Sequence, residues 1–524
     1  MRDAGMPDVW LYDTSLRDGA QGDGVSFSAA DKREVARRLD AFGIPYIEGG
    51  WPGSNPVDDE FFGDPPELRR SRLCAFGSTR RAGVPENEDA CLSALASSPA
   101  PVCTVFGKTW DFHVEKALRT TLEENLEMIA GSVRFLKSRG KEAVFDAEHF
   151  FDGFAANPGY AMQCLEAAAS AGADWLVLCD TNGGTLPDRV SEIVRKVSKD
   201  LGVPVGIHAH NDCGLAAAVS AAAVMSGAEM VQGTVNGIGE RCGNADLCTV
   251  AGILGAKMGM DLGVDLKGLT QLSAGIADVE NLVRPPGLPF VGEDAFAHKG
   301  GMHVSALVRD PRTYEHIDPS SVGNSRRVLV SDMAGKASIA EKLRELGIEE
   351  GADSGAIADR VKGLEAEGYQ FEGADASFEL LVRKMRGELR PAFRLDGFRL
   401  FIDAGAGGGI TSEASIKVSD LRGETEHTAA DGHGPVDALN NAIRKALSRF
   451  FPVIDSMKLT DYKVRVLDAK AATASTVRVL ITTSDGVRSW TTVGVSENVI
   501  EASLYALLDS VEYAVYKEKE GRTK

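Results

Sequence analysis

The sequence predicts an α/β fold: a TIM (β/α)8 barrel, then a mostly helical linker region, then a C-terminal α+β domain. Three observations carry this. Eight strand–turn–helix alternations fall within roughly 250 residues, the usual span of such a barrel. Side chains able to do chemistry sit at the C-terminal end of nearly every candidate strand. The pattern then changes after a Pro/Gly break at RPPGLPFVG (284–292).

The strands are short apolar runs: VWLYD (9–13), YIEGG (46–50), RLCAFG (72–77) and VCTVFG (102–107), then AVFDAEH (143–149), WLVLCD (175–180), PVGIHAH (204–210) and MVQGTV (230–235). Amphipathic helical patterns separate them. SAADKREVARRLDAFG (28–43) opens on Ser28 as an N-cap. VEKALRTTLEENLEMIAGSVRFLKSRG (114–140) and PGYAMQCLEAAASAGA (158–173) read as further helices.

Arg17 and Asp18 follow the first strand, Glu48 ends the second and Lys108 follows the fourth. Glu148 ends the fifth, Asp180 and Thr181 the sixth, His208 and His210 the seventh, and Asn236 and Asn244 follow the eighth. In a closed parallel barrel all these ends share one face, the face that carries barrel active sites.

Beyond the break, short helices and irregular segments run to about residue 372, and β patterns return near 376 in ASFELLVRKM and FRLFIDAG. DGHGPVDALNNAIRKAL (431–447) and TVGVSENVIEASLYALL (492–508) each place a glycine before a helix of similar length. They form a weak internal repeat within one α+β domain, with GAGGG (405–409) as a flexible loop. The expected boundaries are 1–283 for the barrel, 284–375 for the linker and 376–524 for the C-terminal domain.

Composition excludes several classes. A chain of 524 residues exceeds one compact core. Net charge −19, without a basic block to offset it, opposes nucleic-acid binding. No apolar run reaches membrane-spanning length, and MRDAGMPDVW lacks the apolar stretch of a signal peptide, so a cytoplasmic protein is expected. The eight cysteines match no zinc or redox spacing and read as small buried hydrophobes.

His208 and His210 lie two apart on a strand, so both imidazoles face the same side. With Asp18 as an anionic third ligand they suit a divalent metal; the plain alternative is two histidines hydrogen-bonded to a carboxylate. A cation beside Arg17 suits a 2-oxo acid, because both stabilise charge developing on a carbonyl oxygen. Arg17 equally suits an ion pair with Glu48 or Asp18. Thr181 suits a substrate carboxylate or a turn, and Glu148 suits proton handling or support of Arg17.

Jointly, LYDTSLRDGAQ (11–21), FDAEHFFDG (145–153), CDTNGG (179–184), IHAHNDCGLA (207–216), NGIGERCGNADL (236–247), AFAHKGGMHVSAL (295–307) and TYEHIDPSSVG (313–323) resemble the 2-isopropylmalate, homocitrate and citramalate synthase family of acyl-CoA-dependent Claisen enzymes. The resemblance covers nearly the whole chain. It implies metal ligands at Asp18, His208 and His210, with Asn244 as a further or weaker one. It also implies a catalytic arginine at Arg17, an active-site glutamate at Glu148 and a carboxylate-binding threonine at Thr181. His303 and Tyr314 match a histidine and tyrosine implicated in catalysis. Isopropylmalate synthases usually read G-x-H-Q-x-G around that histidine, whereas this chain has GGMHVSA.

YIEGGWPGSNP (46–56) looks more like the citramalate branch, which implies condensation of acetyl-CoA with pyruvate. The implied cofactor is one divalent ion (Mg, Mn or Zn), the implied assembly a homodimer and the implied effector isoleucine. The alternatives are a 2-isopropylmalate synthase, a metal-dependent C–C lyase or aldolase, and a non-catalytic amino-acid sensor.

Overall fold

Eight short apolar strands close on themselves because each is followed by a helix that returns the chain to the same edge. In the computed structural model, which describes residues 7–330, 335–349, 351, 353–404, 409–467 and 475–523, the strands are β1 (Trp10–Asp13), β2 (Tyr46–Gly50), β3 (Arg72–Ser78), β4 (Val102–Lys108), β5 (Glu142–Glu148), β6 (Trp175–Asp180), β7 (Val205–Ala209) and β8 (Met230–Gly233). They pair in parallel in sequence order, and β1 closes on β8 through Trp10↔Met230 and Leu11↔Val231. Tyr12, Tyr46, Cys74, Val102, Val144, Val177 and Met230 belong to one buried apolar cluster contributed by seven of the strands.

The helix Ala29–Phe42 begins as expected: the Ser28 side chain accepts from the Asp31 N–H, and Asp31 returns a bond to the Ser28 N–H. Its buried positions, Lys32, Val35, Ala36 and Leu39, recur at helical spacing. The helix expected over 114–140 is broken. Arg119 takes φ 56°, Thr121 caps a new start by accepting from the Glu124 N–H, and the long helix is Leu122–Ser138. Residues 114–118 instead form a π-type turn.

Two compact units emerge, one of residues 7–296 with 316–326, the other of 297–315 with the described residues from 327 onward. In the second, β9 (Ala297–His298) pairs with β10 (Arg327–Val328), and helices Lys336–Glu345, Ser354–Ala366 and Asp375–Met385 pack around Ile339, Leu343, Ile357, Val361, Phe378 and Val382. ASFELLVRKM is therefore helix, not strand. Its apolar positions alternate, but Phe378 and Val382 bury one helical face, and Glu379 pairs with Arg383 one turn on.

The internal repeat is present as two successive βββα units. β11 (Phe393–Ala404), β12 (Ile410–Asp420) and β13 (Thr425–Gly432) form an antiparallel sheet followed by helix Pro435–Leu447. β14 (Lys458–Val466), β15 (Val477–Ser484) and β16 (Ser489–Ser496) repeat this before helix Val499–Thr523. The second helix has 25 residues against 13, so the expected similarity of length does not hold. Residues 405–408 of the expected GAGGG loop lie outside the described residues. No helix among the described residues is long and apolar enough to cross a membrane.

Candidate metal and active site

The C-terminal ends of the barrel strands open into a cavity of about 260 Å³, lined by the following residues among others: Arg17, Asp18, Glu148, Thr181, His208 and His210. Six of the nine site residues that the family resemblance implies thus share one space. Asp18, His208 and His210 are buried, and each places one ligand-capable atom within 4.8 Å of the other two. The His208 Nε2 lies 3.2 Å from the Asp18 Oδ2 and 3.4 Å from the His210 Nε2.

A hydrogen-bonded chain sets the state of His208. The Gln232 Nε2 donates to the Asp146 Oδ1 at 3.0 Å, so the Gln232 Oε1 accepts from the His208 Nδ1–H at 2.8 Å. Burial would lower His208, but its hydrogen bond to Asp18 outweighs this and raises it. On losing its Nε2 proton, His208 turns that lone pair toward Asp18 and His210, the tautomer a metal ligand needs. Asn244 joins from the segment bridged to His210, and its buried Oδ1 has no hydrogen-bond partner. Two inward lone pairs, one carboxylate and an orphaned amide oxygen fit a divalent cation.

Electrostatics sharpen the set. Burial would raise the Asp18 carboxyl, but the Arg17 charge and the His208 bond outweigh it and hold the group well below the usual carboxylate range. Burial, then the neighbouring His208, lowers His210 to about 4. Asp146 is pushed by burial up to about 7.

Arg17 is fixed on three sides. Its Nε donates to Glu48 at 2.6 Å, its Nη1 lies 3.2 Å from Asp18, and its guanidinium carbon stands 3.7 Å from the Phe76 ring centroid. Glu48 is fully buried and also accepts from the Tyr12 hydroxyl at 2.7 Å. Both ion pairs weighed for Arg17 in the sequence therefore exist. Glu148 pairs with Lys108. The Thr181 Oγ1 accepts from the His149 N–H at 2.9 Å, and its carbonyl accepts from Arg241, itself paired with Asp212 through two bonds.

Other expectations resolve differently. Asp180 accepts from Thr185, and Asn236 exchanges bonds with Ser273, so each ties down a loop. Cys179 is buried and lines the cavity, whereas Cys213 and Cys242 are exposed rather than buried. His303 and Tyr314 belong to the second unit, where their rings stack at 4.1 Å. Sequence reading missed Trp51, Phe76, Phe106, Asp146 and Arg241 in the lining. For the aromatics the available signal was position: Phe76 and Phe106 stand near strand ends, as Lys108 does.

A closed parallel barrel with an imidazole–carboxylate cluster and a buried arginine at its C-terminal mouth is the architecture of a barrel enzyme. An HMGL-like family model matches residues 8–276, a homocitrate synthase post-HMGL domain-like model 290–368, and a LeuA allosteric (dimerisation) domain model 372–515. The (R)-citramalate synthase of Geobacter sulfurreducens is 51% identical over 98% of both chains, and that of Aquifex aeolicus 50% identical over 98% of both. A probable 2-isopropylmalate synthase of Methanopyrus kandleri is 33% identical over 97% of this chain and 98% of its own. The chain belongs to the HMGL-like family, and within it to the (R)-citramalate synthases.

Proposed function

We propose that the chain condenses acetyl-CoA with pyruvate and hydrolyses the thioester, releasing (R)-citramalate and CoA. One observation carries the reading: the Asp18–His208–His210 cluster shares its cavity with the buried Arg17, in a chain that matches (R)-citramalate synthases end to end.

Asp18, His208 and His210, with Asn244 beside them, would hold one divalent ion, Mg, Mn or Zn. When bound, the ion supplies Lewis-acid polarisation of the acceptor ketone. The chain's own residues do the rest. The Thr181 hydroxyl, accepting from the His149 N–H, keeps its own proton to donate to the acceptor carboxylate. A base removes a proton from the acetyl methyl, and the resulting carbanion attacks the ketone carbon. Arg17 stabilises the alkoxide that forms, which is then protonated. Water adds to the thioester carbonyl and expels the CoA thiolate, leaving the acid. Glu148, paired with Lys108, shares the proton transfers with His303 and Tyr314. We place the reaction in the cytoplasm, where acyl-CoA thioesters and 2-oxo acids meet.

The match of residues 372–515 to a LeuA allosteric (dimerisation) domain supports a homodimer under allosteric control; on this reading the subunits complete each other's sites and isoleucine is the effector. Within the second unit, a cavity of about 540 Å³ offers Asp437 for an ammonium, Arg444 and Lys458 for a carboxylate, and Val436 and Leu459 for an aliphatic chain. Gly434, which caps the adjoining helix, has extended backbone and open space at its Cβ, so Gly434→Trp is sterically feasible. Isoleucine is expected to inhibit wild type and to lose potency against Gly434→Trp. Absence of binding by calorimetry at millimolar isoleucine would remove the regulatory reading. For the reaction itself, free-thiol release is followed with pyruvate, 2-oxobutyrate and 2-oxoisovalerate in turn. Pyruvate should give the highest kcat/KM; preference for 2-oxoisovalerate would move the protein to the isopropylmalate reaction.

A further inference from the structure

We propose that Trp51, held by the buried Lys32–Asp58 ion pair, is the end wall of the acceptor's alkyl pocket and limits that group to about a methyl. The inference rests on the reaction proposed above and adds the device that selects its acceptor.

The starting point is the Gly49–Gly50–Trp51 sequence that ends β2. Gly50 takes φ +142°, and a Cβ there would come within 2.6 Å of the Asp58 carboxyl carbon. A Cβ on Gly49 would come within 2.3 Å of a Phe61 ring carbon. The strand end is thus pressed against the helix Pro56–Gly63, and side chains are excluded there. Asp58 then takes hold of the next residue: its Oδ2 accepts from the Trp51 N–H at 2.9 Å and from the Asn55 Nδ2 at 3.0 Å. Its Oδ1 pairs with the Lys32 Nζ, which also donates to the Gly49 carbonyl at 3.0 Å. Lys32 and Asp58 are 4% and 6% exposed. A buried ion pair adds little net stability over an apolar pair of the same volume. What this one fixes is the turn that aims the indole.

The indole ring meets both Phe76 and Phe106 edge-on, with centroids 5.8 Å away in each case, and those two rings stack on each other at 5.4 Å. Phe76 also carries the Arg17 guanidinium. The three rings, with Cys179, supply the apolar lining of a cavity that Arg17, Asp18, His208, His210 and Thr181 also line. An acceptor that gives its carboxylate and ketone to those polar groups finds its apolar contacts in the aromatic lining. Trp51, anchored at its backbone by Asp58 and packed edge-on against Phe76 and Phe106, limits the room for a longer one.

The test uses full-length, metal-loaded protein and kcat/KM for pyruvate, 2-oxobutyrate and 2-oxoisovalerate. Trp51→Ala should raise the 2-oxobutyrate-to-pyruvate ratio about tenfold or more, the discrimination that one methylene of pocket supplies. The KM for acetyl-CoA should stay unmoved, and Trp51→Phe should keep most of the wild-type preference. Lys32→Met/Asp58→Asn removes both charges together, avoids stranding one, and should shift the ratio the same way by a smaller factor. It also keeps the proposal testable if Trp51→Ala fails to fold. A folded Trp51→Ala or double variant with the wild-type ratio overturns the proposal while leaving the reaction intact. A wild type that turns over no 2-oxo acid overturns the reaction and, with it, this inference.

Discussion

Replacing Arg17 with lysine keeps the charge and removes the fork, which isolates what the guanidinium geometry contributes. In the native site one edge of the group is committed to Glu48 at 2.6 Å and to Asp18 at 3.2 Å, with Phe76 beneath its face. A lysine ammonium can replace either ion pair but cannot hold both and still point a donor at the acceptor oxygen. Loss of one preorganised donor to a developing oxyanion costs about 2.7–4 kcal/mol, or 10²–10³ in kcat. The charge stays beside the fully buried Glu48, so the penalty of stranding that carboxylate is avoided and the fold should persist. Steady-state thiol release, with thermal melting and metal content as controls, measures the effect. The expected result is a kcat lower by two to three orders of magnitude with metal content unchanged. A kcat within threefold of wild type would refute the placement of Arg17 on the reacting oxygen, and a change confined to KM would make it a binding group alone.

Three further outcomes are expected. His210→Ala should lose both the bound divalent ion and thiol release, and full activity of chelated, metal-free wild type would refute the ligand set. Glu280 is 3% exposed with neither carboxylate oxygen hydrogen-bonded, and burial pushes it up to about 8. Its folded form binds the proton more tightly than the unfolded chain does, so it costs stability increasingly as pH rises from about 4.5 toward 8. Glu280→Gln should therefore raise the melting temperature at pH 8.5, by the equivalent of a few kcal/mol, and much less at pH 5; an equal change at both values would refute this. Finally, inactive Arg17→Ala and His303→Ala proteins mixed under subunit exchange should regain part of the activity, and no recovery despite proven exchange would count against shared sites.

The barrel was legible because its strands are short, mostly buried apolar runs bounded by polar turns, and each observed strand lies within two residues of its expected ends. The pairing of His208 with His210 was legible because strand periodicity alone puts both on one face. Sequence reading failed where local patterns compete. Alternating apolar residues made 376–385 look extended, while the i,i+4 pairs Phe378/Val382 and Glu379/Arg383 decided for helix. Arg119 interrupts a helical pattern by adopting φ 56°, a tertiary choice that no propensity announces. The partners of the site were hidden for a different reason. Glu48, Gln232 and Asp146 act through contacts between strands far apart in sequence, and Trp51 is placed by a helix residue, Asp58.

Carbon–carbon bond formation between acetyl-CoA and pyruvate can be followed by NMR with pyruvate labelled at the ketone carbon. The ketone resonance should be replaced by that of a quaternary carbinol carbon bearing a methyl and a carboxymethyl group, one for each CoA thiol released, and chiral chromatography should assign the R product. Thiol release without loss of the labelled ketone would mean simple thioester hydrolysis and would rule out the condensation.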